Sequence, residues 1–338
     1  MKDLQHLRVE EASQIGEARR LAVGVCRGLD FDEILAGKAA IVVTEMATNL
    51  LKHAAGGELL LRSVTSPEAS GIEILALDRG PGIAHPGESL RDGYSTAGSP
   101  GTGLGAIRRL SALFDIYTAS GEGTAVLSRI WKKPPPQSLE RCPLEVGAVC
   151  LPIKGEQACG DAWVVHQVRD RAMFMVADGL GHGIHAAEAA AEALSVFRKS
   201  LTCNPAYILE IMHSALRSTR GAAVAVAEVL LDRHIVRYVG VGNISGRIIS
   251  GDVSRQMVSH NGTVGLEAGK IQEFTYPWPE NGLLILHSDG LDTHWSLDDY
   301  PGLPAKHPVL TAGILFRDHC RGRDDIVVVA AKEAKTNP

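Results

Sequence analysis

The 338-residue chain lacks the marks of several broad protein classes. No apolar run approaches the roughly 18 residues that a membrane-spanning helix needs. The polar N-terminus, MKDLQHLRVEEASQ, has no hydrophobic signal-peptide core. A net charge of −5 gives no global basic footprint for nucleic acid. We therefore expect a cytoplasmic protein that binds neither membranes nor nucleic acids.

The cysteines also lack the spacing of a metal site. There are six, and no two of them form a C-x-x-C pair. This scatter argues against a zinc site or a disulfide framework. Reduced thiols, most of them buried, are the expected state.

The chain is long enough for about two domains, and its apolar content of 45% suffices for two cores. Pro134, Pro135 and Pro136 follow a strand-like run that ends at Trp131. Consecutive prolines cannot continue a strand ladder and favour an extended spacer. The sequence thus predicts domains at residues 1–131 and 144–334, with a Pro-rich linker at 132–143.

Hydrophobic periodicity predicts an α+β protein, because strands and helices occur in segregated blocks. In the first domain the predicted helices are 11–29, 31–54 and 106–114, and the predicted strands are 59–64 and 72–77, followed by two closing strands. In the second domain the predicted strands are 162–168, 172–177, 222–231, 235–241, 283–287 and 326–331, and the predicted helices are 185–200, 205–217 and 308–319.

One predicted helix of the first domain carries polar side chains toward a common site. Glu45 and Asn49 are four residues apart, and His53 lies near the same face. A carboxylate can orient the proton of a nucleophile, and an amide oxygen can ligate magnesium.

Two glycine-containing segments follow. Asp78-Arg79-Gly80-Pro81-Gly82 comes directly after an apolar strand, where a carboxylate can accept from an exocyclic amine. Gly101-Thr102-Gly103-Leu104-Gly105 opens a helix, whose backbone N–H groups can cradle phosphate. A Walker A lysine motif is absent, and the glycine run does not directly follow a strand, so neither a P-loop nor a Rossmann site is predicted.

In this order the three features resemble the GHKL, or Bergerat, ATP-binding fold, an α/β sandwich, over residues 1–131. The stretch 92–96, together with 108–110 and 114–116, makes the likeness closest to the RsbT-type serine kinases of the anti-sigma-factor class. The resemblance implies ATP and Mg²⁺ as cofactors. It also implies these roles: Glu45 as general base, Asn49 as Mg²⁺ ligand, Asp78 as reader of the adenine amine, Gly80 and Gly82 as nucleotide lining, Gly101, Gly103 and Gly105 as phosphate lid, and Thr124 as support on the adenine side. No separate phosphotransfer helix is evident, so His53 is interpreted as capping carbonyls at a helix end.

In the second half, four aspartates mark the ends of strand-like runs: Asp161, Asp178, Asp289 and Asp324. Each stands beside a glycine or another acid. Isolated Asp-Gly pairs are commonly turns. Four strand-end carboxylates in one domain instead indicate hard divalent cations with oxygen ligands, as in a two-metal hydrolase.

The segment Asp178-Gly179-Leu180-Gly181-His182-Gly183 makes this half resemble the PPM serine/threonine phosphatases, in the SpoIIE and RsbX branch. The resemblance implies a β-sandwich flanked by helices and two Mn²⁺ or Mg²⁺ ions. Asp178 would bridge the ions and the Gly179 carbonyl would be a ligand. Asp161 would hold one ion, and Asp289 and Asp324 would complete the other site. His182 is a candidate general acid, with a hydrogen bond inside its loop as the alternative.

Two details depart from that pattern or leave it open. No arginine stands just upstream of Asp161, where eukaryotic relatives bind phosphate, and Lys154 is the nearest cation. Substrate capture is then expected to depend on the metals and the partner surface. Asp325 either supports a metal ligand or caps its strand.

Together the resemblances suggest a bifunctional switch protein that phosphorylates and dephosphorylates a STAS-domain regulator. The alternative is a phosphatase alone, whose N-terminal domain binds nucleotide and sequesters a partner. A catalytically inactive scaffold conflicts with the intact set of acids. A homodimer is left open.

Overall fold

The computed structural model describes residues 4–65, 69–85, 103–134 and 144–334. The chain divides into two compact units, Met1–Ser138 and Leu139–Pro338. This division falls inside the predicted linker, of which only residues 132–134 are described. The exact domain boundaries therefore stay predictions.

The N-terminal unit is a layer of helices on an antiparallel sheet. Its described elements are β1 (Gln5–Val9), α1 (Ser13–Gly28), α2 (Glu33–Ala54), β2 (Gly57–Thr65), β3 (Ser70–Leu77), α3 (Gly103–Leu110), β4 (Leu113–Ala119) and β5 (Gly123–Trp131). The strand order is β1-β2-β3-β5-β4. One core fills the space between helices and sheet, with Val43 and Met46 of α2 and Leu59 and Ile74 of the strands all buried. This is the predicted α/β sandwich.

Helix α2 has clear signals at both ends. Asp32 caps its N-terminus by accepting a 2.7 Å hydrogen bond from the Leu35 N–H. At the other end Ala55 is left-handed, with φ of 56°, and the Gly56 N–H donates to the Leu50 carbonyl at 3.0 Å. The glycine stop signal in the sequence thus ends the helix where it was predicted to end.

Among the described helices, α2 alone has the length and mean hydropathy, 1.4, that would suit a membrane span. From the sequence we expected no segment long and apolar enough to span a membrane, so this property of α2 was missed. A buried core helix passes the same test of length and composition, and α2 buries Ala39, Val42, Ala47 and Leu50 in the core of its unit. We therefore describe it as a core helix.

The C-terminal unit is a sandwich of two antiparallel sheets. Its strands are β6 (Leu144–Leu151), β7 (Asp161–Val168), β8 (Arg171–Gly179), β9 (Ala222–Leu230), β10 (Ile235–Val241), β11 (Ser245–Ser250), β12 (Val253–Met257), β13 (Phe274–Pro277), β14 (Leu283–His287) and β15 (Ile326–Glu333). Its α-helices are α4 (Ile184–Lys199), α5 (Pro205–Ala215) and α6 (Pro308–His319). The sheet orders are β13-β10-β9-β8-β7 and β12-β11-β14-β15-β6.

Helices cover the outer faces of this sandwich. Residues from both sheets, among them Phe174 and Leu286, form the central core. A second core packs Phe197 of α4 and Leu209 of α5 against the outer face of the first sheet. On the other sheet, a Cβ on Gly147 of β6 would lie 2.0 Å from the Val309 backbone nitrogen, so α6 rests directly on that strand. The predicted β-sandwich flanked by helices is confirmed.

One predicted helix is displaced in the structure. The helix expected at 106–114 runs from Gly103 to Leu110, and Phe114 belongs to β4. The apolar residues after Leu110 pair with β5 from Leu113 onward. These apolar residues belong to strand β4, and their hydrophobicity wrongly predicted a continuation of the helix.

Candidate functional site

In the N-terminal unit, the start of α3 lies against two polar side chains of α2. A Cβ on Gly103 would be 3.2 Å from Glu45 Oε2 and 3.5 Å from Asn49 Oδ1. A carboxylate and an amide thus meet a helix N-terminus, where a side chain larger than hydrogen would crowd them. Gly105, two residues further along α3, is buried. Gly101 and the stretch 92–96 lie outside the described residues.

His53 does not join this group as a cap. It is exposed in the last turn of α2. The Leu50 carbonyl accepts from the Gly56 N–H instead. Within the described ranges His53 donates no hydrogen bond to the helix-end carbonyls, so the expected capping role is wrong.

A second group forms around Asp78 at the end of β3. Its Oδ1 accepts from the backbone N–H groups of Gly80 at 2.8 Å and Thr124 at 3.1 Å. The Asp78 N–H donates to the Thr124 carbonyl at 2.9 Å. The Thr124 hydroxyl lies 3.1 Å from that of Thr118. Asp78 and Thr124 are therefore fixed as one unit.

The glycines of this second group are required by close packing. A Cβ on Gly80 would lie 2.7 Å from the Ala54 Cβ at the end of α2. A Cβ on Gly82, where φ is 72°, would lie 2.1 Å from the Ala119 carbonyl oxygen. The structure thus brings Asp78, Gly80, Gly82 and Thr124 together beside α2. Together with the Glu45–Asn49–Gly103 group at the start of α3, this oxygen-rich set fits a magnesium nucleotide.

In the C-terminal unit, two of the four predicted aspartates face each other across strands. Asp161 begins β7 and Asp178 is near the end of β8, and they are direct partners in the antiparallel register. The next residue, Gly179, donates from its N–H to the Gly160 carbonyl at 3.0 Å. A Cβ on Gly179 would lie 2.1 Å from the Ala186 carbonyl oxygen, so only glycine fits there.

Electrostatics show that the other two acids lie at the same end of the sandwich. Burial, and then repulsion by Asp289, Asp324 and Asp325, raises the pKa of Asp178 to about 7. Burial, and then repulsion by Asp178, raises the pKa of Asp161 well above its usual value. Crowded carboxylates of this kind are destabilising unless a proton or a cation neutralises them.

Across the described ranges, no three His, Cys, Asp or Glu side chains are arranged as a finished metal site. The mutual repulsion and the all-oxygen ligands nevertheless fit hard divalent cations. Asp161, Asp178, Asp289 and Asp324, with the Gly179 carbonyl, are the residues that would hold them. Such ions, when bound, supply a water of lowered pKa as nucleophile.

Asn243 belongs to this centre, and the sequence analysis missed it. It follows β10 in an exposed turn, and its Nδ2 donates to Asp289 Oδ2 at 2.6 Å. The same side chain hydrogen-bonds Asp178 and lowers its pKa, against the larger effects of burial and repulsion. The available signal was a polar residue after Gly242, directly at the end of the predicted strand 235–241.

Asp325 and Ser288 hold Asp161 in place through hydrogen bonds. Buried Asp325 accepts 2.7 Å hydrogen bonds from the N–H groups of Ile153 and Gly160, one on each oxygen. The Ser288 hydroxyl donates to Asp161 Oδ2 at 2.6 Å. Asp325 thus fixes the loop that leads into Asp161. Its support of a metal ligand stays a prediction.

His182 lies at the edge of the acid cluster, the name used here for Asp161, Asp178, Asp289 and Asp324. Its side chain is 60% exposed, and Nδ1 is 2.9 Å from Glu156 Oε1. The partner comes from the loop before β7, so the alternative of a hydrogen bond within its own loop is wrong. A paired, exposed imidazole at the cluster can still carry a proton to a leaving oxygen.

Two cysteines lie behind Asp161. The sulfurs of Cys150 and Cys159 are 3.8 Å apart, and the Cys150 thiol donates to the Asp161 carbonyl at 3.5 Å. The contact with Cys159, and then burial, raise the pKa of the Cys150 thiol well above its usual value. Among the described cysteines Cys26 is buried, whereas Cys150, Cys159, Cys203 and Cys320 are half-buried, so the expectation that most would be buried is wrong.

Comparison with known proteins decides the family of the N-terminal unit. Residues 9–130 match the model of the histidine kinase-like ATPase domain. The serine/threonine-protein kinase RsbT of Bacillus subtilis (strain 168) is 30% identical over 131 residues, which are 98% of RsbT and 39% of this chain. The chain belongs to the RsbT family. Here the RsbT-like kinase unit is fused to a second unit.

That second unit has a PPM-type phosphatase fold. Residues 169–300 match the family model of stage II sporulation protein E, SpoIIE. A structure of RsbX in complex with magnesium is 20% identical, with a TM-score of 0.51, and covers 59% of this chain and 99% of that one. The PP2C phosphatase domain of SpoIIE with a regulatory fragment, from Bacillus subtilis, is 15% identical, with a TM-score of 0.50, and covers 96% of this chain and 98% of that one.

A third structure is described as the bacterial stressosome, a modular system adapted to control secondary messenger signalling. It is 29% identical to this chain, with a TM-score of 0.52, and covers 56% of this chain and 99% of its own. The RsbT-family protein is therefore an enzyme with a serine/threonine kinase unit and a serine/threonine phosphatase unit. Such domains use nucleotide and divalent metal and act on regulatory protein partners.

Proposed function

We propose that the protein is a bifunctional cytoplasmic switch for a STAS-domain regulator. The N-terminal unit transfers phosphate from ATP to a serine or threonine of that regulator, and the C-terminal unit removes it. The observation that carries the proposal is that one chain holds both a Glu45–Asn49–Gly103 group and a crowded strand-end acid cluster. The likeness to RsbT and to a stressosome structure supports the STAS-type partner.

In the proposed kinase unit, each residue acts through the contacts described above. Glu45 accepts the proton of the attacking hydroxyl, and this role is supported by its carboxylate, which would lie 3.2 Å from a Cβ on Gly103 at the start of α3. Asn49 presents its amide oxygen to Mg²⁺. Asp78 is held by Gly80 and Thr124 for the exocyclic amine of adenine.

In the proposed phosphatase unit, the acids bind two Mn²⁺ or Mg²⁺ ions at one end of the sandwich. Asp178 faces both sides of the cluster, because it is register partner of Asp161 and is repelled by Asp289 and Asp324. It is therefore the carboxylate that would contact both ions. His182, oriented by Glu156, gives a proton to the leaving serine or threonine oxygen.

The proposal is tested by labelling a candidate STAS domain with radioactive ATP, Mg²⁺ and the purified protein. Asp178→Asn should accumulate more labelled STAS domain than wild type, since the phosphate is no longer removed. Glu45→Ala should label it at least 100-fold more slowly, the scale of a lost general base. Phospho-STAS prepared beforehand should lose its label with wild type and Glu45→Ala, and not with Asp178→Asn.

Two matched substitutions control for non-specific effects. Asp170→Asn changes an exposed aspartate at the other end of the β7–β8 hairpin, and Glu17→Ala changes an exposed glutamate on α1. Both should behave as wild type. Equal labelling by Glu45→Ala and wild type, with normal phosphatase activity, would leave only the alternative of a phosphatase with a nucleotide-binding module.

A further inference from the structure

Two loops join beside the acid cluster of the C-terminal unit. The Leu180 N–H, in the loop after β8, donates to the Gly221 carbonyl, in the turn before β9, at 3.0 Å. Gly179 and Ala222 are register partners of those strands. The residue before Gly221 is therefore held close to the segment that contains Asp178.

That residue is Arg220, an exposed cation. Its Nη1 lies 3.4 Å from the position that a Cβ on Gly181 would occupy. Within the described part of the chain, no carboxylate is in ion-pair contact with Arg220. A guanidinium that is not already neutralised is suited to bidentate pairing with a phosphoryl group.

Exposed leucines flank this arginine. Leu180 is 51% and Leu266 is 56% exposed. A Cβ on Gly221 would lie 3.2 Å from Leu266 Cγ, so this leucine adjoins the same turn. Its loop is fixed by hydrogen bonds from the Thr263 N–H to the Glu267 carbonyl at 2.7 Å and from the Gly265 N–H to His213 Nδ1 at 3.1 Å. The leucine is thus presented by rigid backbone.

We propose that Leu180, Arg220 and Leu266, here named the rim surface, bind the phosphorylated segment of the protein substrate. Arg220 pairs with the phosphoryl group, and the two leucines contact apolar side chains that flank the phosphorylated residue. The rim surface is continuous with the loop of Asp178, and it supplies the cation that is missing upstream of Asp161. The inference rests on the proposed phosphatase function and specifies how that site recognises its substrate.

Steady-state kinetics with two substrates test the rim surface. Arg220→Ala should raise KM about 10- to 100-fold for both phospho-STAS and p-nitrophenyl phosphate, because both carry the phosphoryl group. Arg220→Lys should restore part of this loss, since a lysine offers charge without the planar fork. Leu266→Ser should raise the ratio of KM for phospho-STAS to KM for p-nitrophenyl phosphate roughly 5- to 10-fold.

Direct binding gives a readout that does not depend on turnover. In the Asp178→Asn protein, calorimetric titration should show that phospho-STAS binds more tightly than unphosphorylated STAS. Adding Arg220→Ala should abolish that difference. Arg217→Ala and Val253→Ser replace an exposed arginine and an exposed valine outside the rim surface, and they should change neither KM nor binding.

Different results would overturn the rim surface and the proposed phosphatase function. Wild-type KM values in Arg220→Ala and Leu266→Ser, with active enzyme, overturn the rim surface and leave the phosphatase assignment intact. Equal binding of phosphorylated and unphosphorylated STAS overturns the role of Arg220. A wild-type protein that hydrolyses neither substrate in the presence of Mn²⁺ overturns the proposed function itself.

Discussion

Asn243 donates a hydrogen bond of 2.6 Å from its amide nitrogen to the Asp289 carboxylate. Because it also hydrogen-bonds Asp178, one neutral side chain holds two carboxylates that repel each other. Groups that orient metal ligands typically contribute about 10- to 100-fold to metal affinity. We expect Asn243→Ala to weaken Mn²⁺ binding by about 10-fold in calorimetric titration. Asn261→Ala, at another exposed asparagine, should bind as wild type, and equal affinities in both variants would contradict the role.

Two substitutions of Asp78 should separate its structural role from nucleotide recognition. In Asp78→Asn the side-chain oxygen can still accept from Gly80 and Thr124, so stability should be nearly unchanged. ATP affinity should fall roughly 10-fold or more, because the new amide N–H faces the adenine amine. Asp78→Ala should also lower the free energy of unfolding by about 1–3 kcal/mol, since two N–H groups lose their acceptor. ATP titration and urea denaturation measure these effects, and tight ATP binding by Asp78→Asn would exclude Asp78 as the adenine reader.

Two glycines in the β4–β5 turn should differ in how much stability is lost when each is replaced by alanine. Gly121 and Gly123 have φ of 81° and 87°. A Cβ on Gly123 would lie 2.0 Å from the Asp78 carbonyl oxygen, whereas a Cβ on Gly121 meets no atom within 4 Å. Gly121→Ala should cost about 1 kcal/mol of stability, and Gly123→Ala more than about 3 kcal/mol. Similar urea midpoints for both variants would show that the turn relaxes.

Asp325→Asn tests whether the loop before β7 depends on one carboxylate. Each oxygen of Asp325 accepts one backbone N–H, and an amide nitrogen cannot replace an oxygen there. The variant should lose about 1–3 kcal/mol, the cost of a buried unsatisfied donor. Hydrogen exchange at the amides of Ile153 and Gly160 should accelerate. Asp252→Asn, in an exposed turn, serves as control, and unchanged exchange in Asp325→Asn would refute the dependence.

The sequence predicted those elements that are long and apolar. Strands β10 and β14 and helix α6 have the predicted bounds, because the apolar runs there are bounded by polar, glycine or proline residues. Strand β12 was missed, since four of its five residues are exposed and no alternation marks it. Strand β6 was missed because Gly147 interrupts its apolar run. A glycine is needed there because the backbone of Val309 in α6 packs directly against it, a contact that the sequence does not show.

The site shows the same limit. Asp161, Asp178, Asp289 and Asp324 could be proposed because each ends or begins an apolar strand. Their facing arrangement depends on pairings between distant strands, which periodicity does not specify. Asn243 and Arg220 could not be selected from many similar turn residues, because their significance lies only in which loops they adjoin.

The nucleotide site and the acid cluster also differ in how much of the chain must be synthesised before each can fold. Glu45 and Asn49 are one helical turn apart, and the described elements of their sheet end at Trp131. The acid cluster requires β15, the last strand, which pairs with β14 and with β6, the first strand of the C-terminal unit. Local contacts form early, and pairings between distant segments form late. During synthesis the nucleotide unit can therefore complete its fold while the metal centre still awaits the residues that follow Arg323.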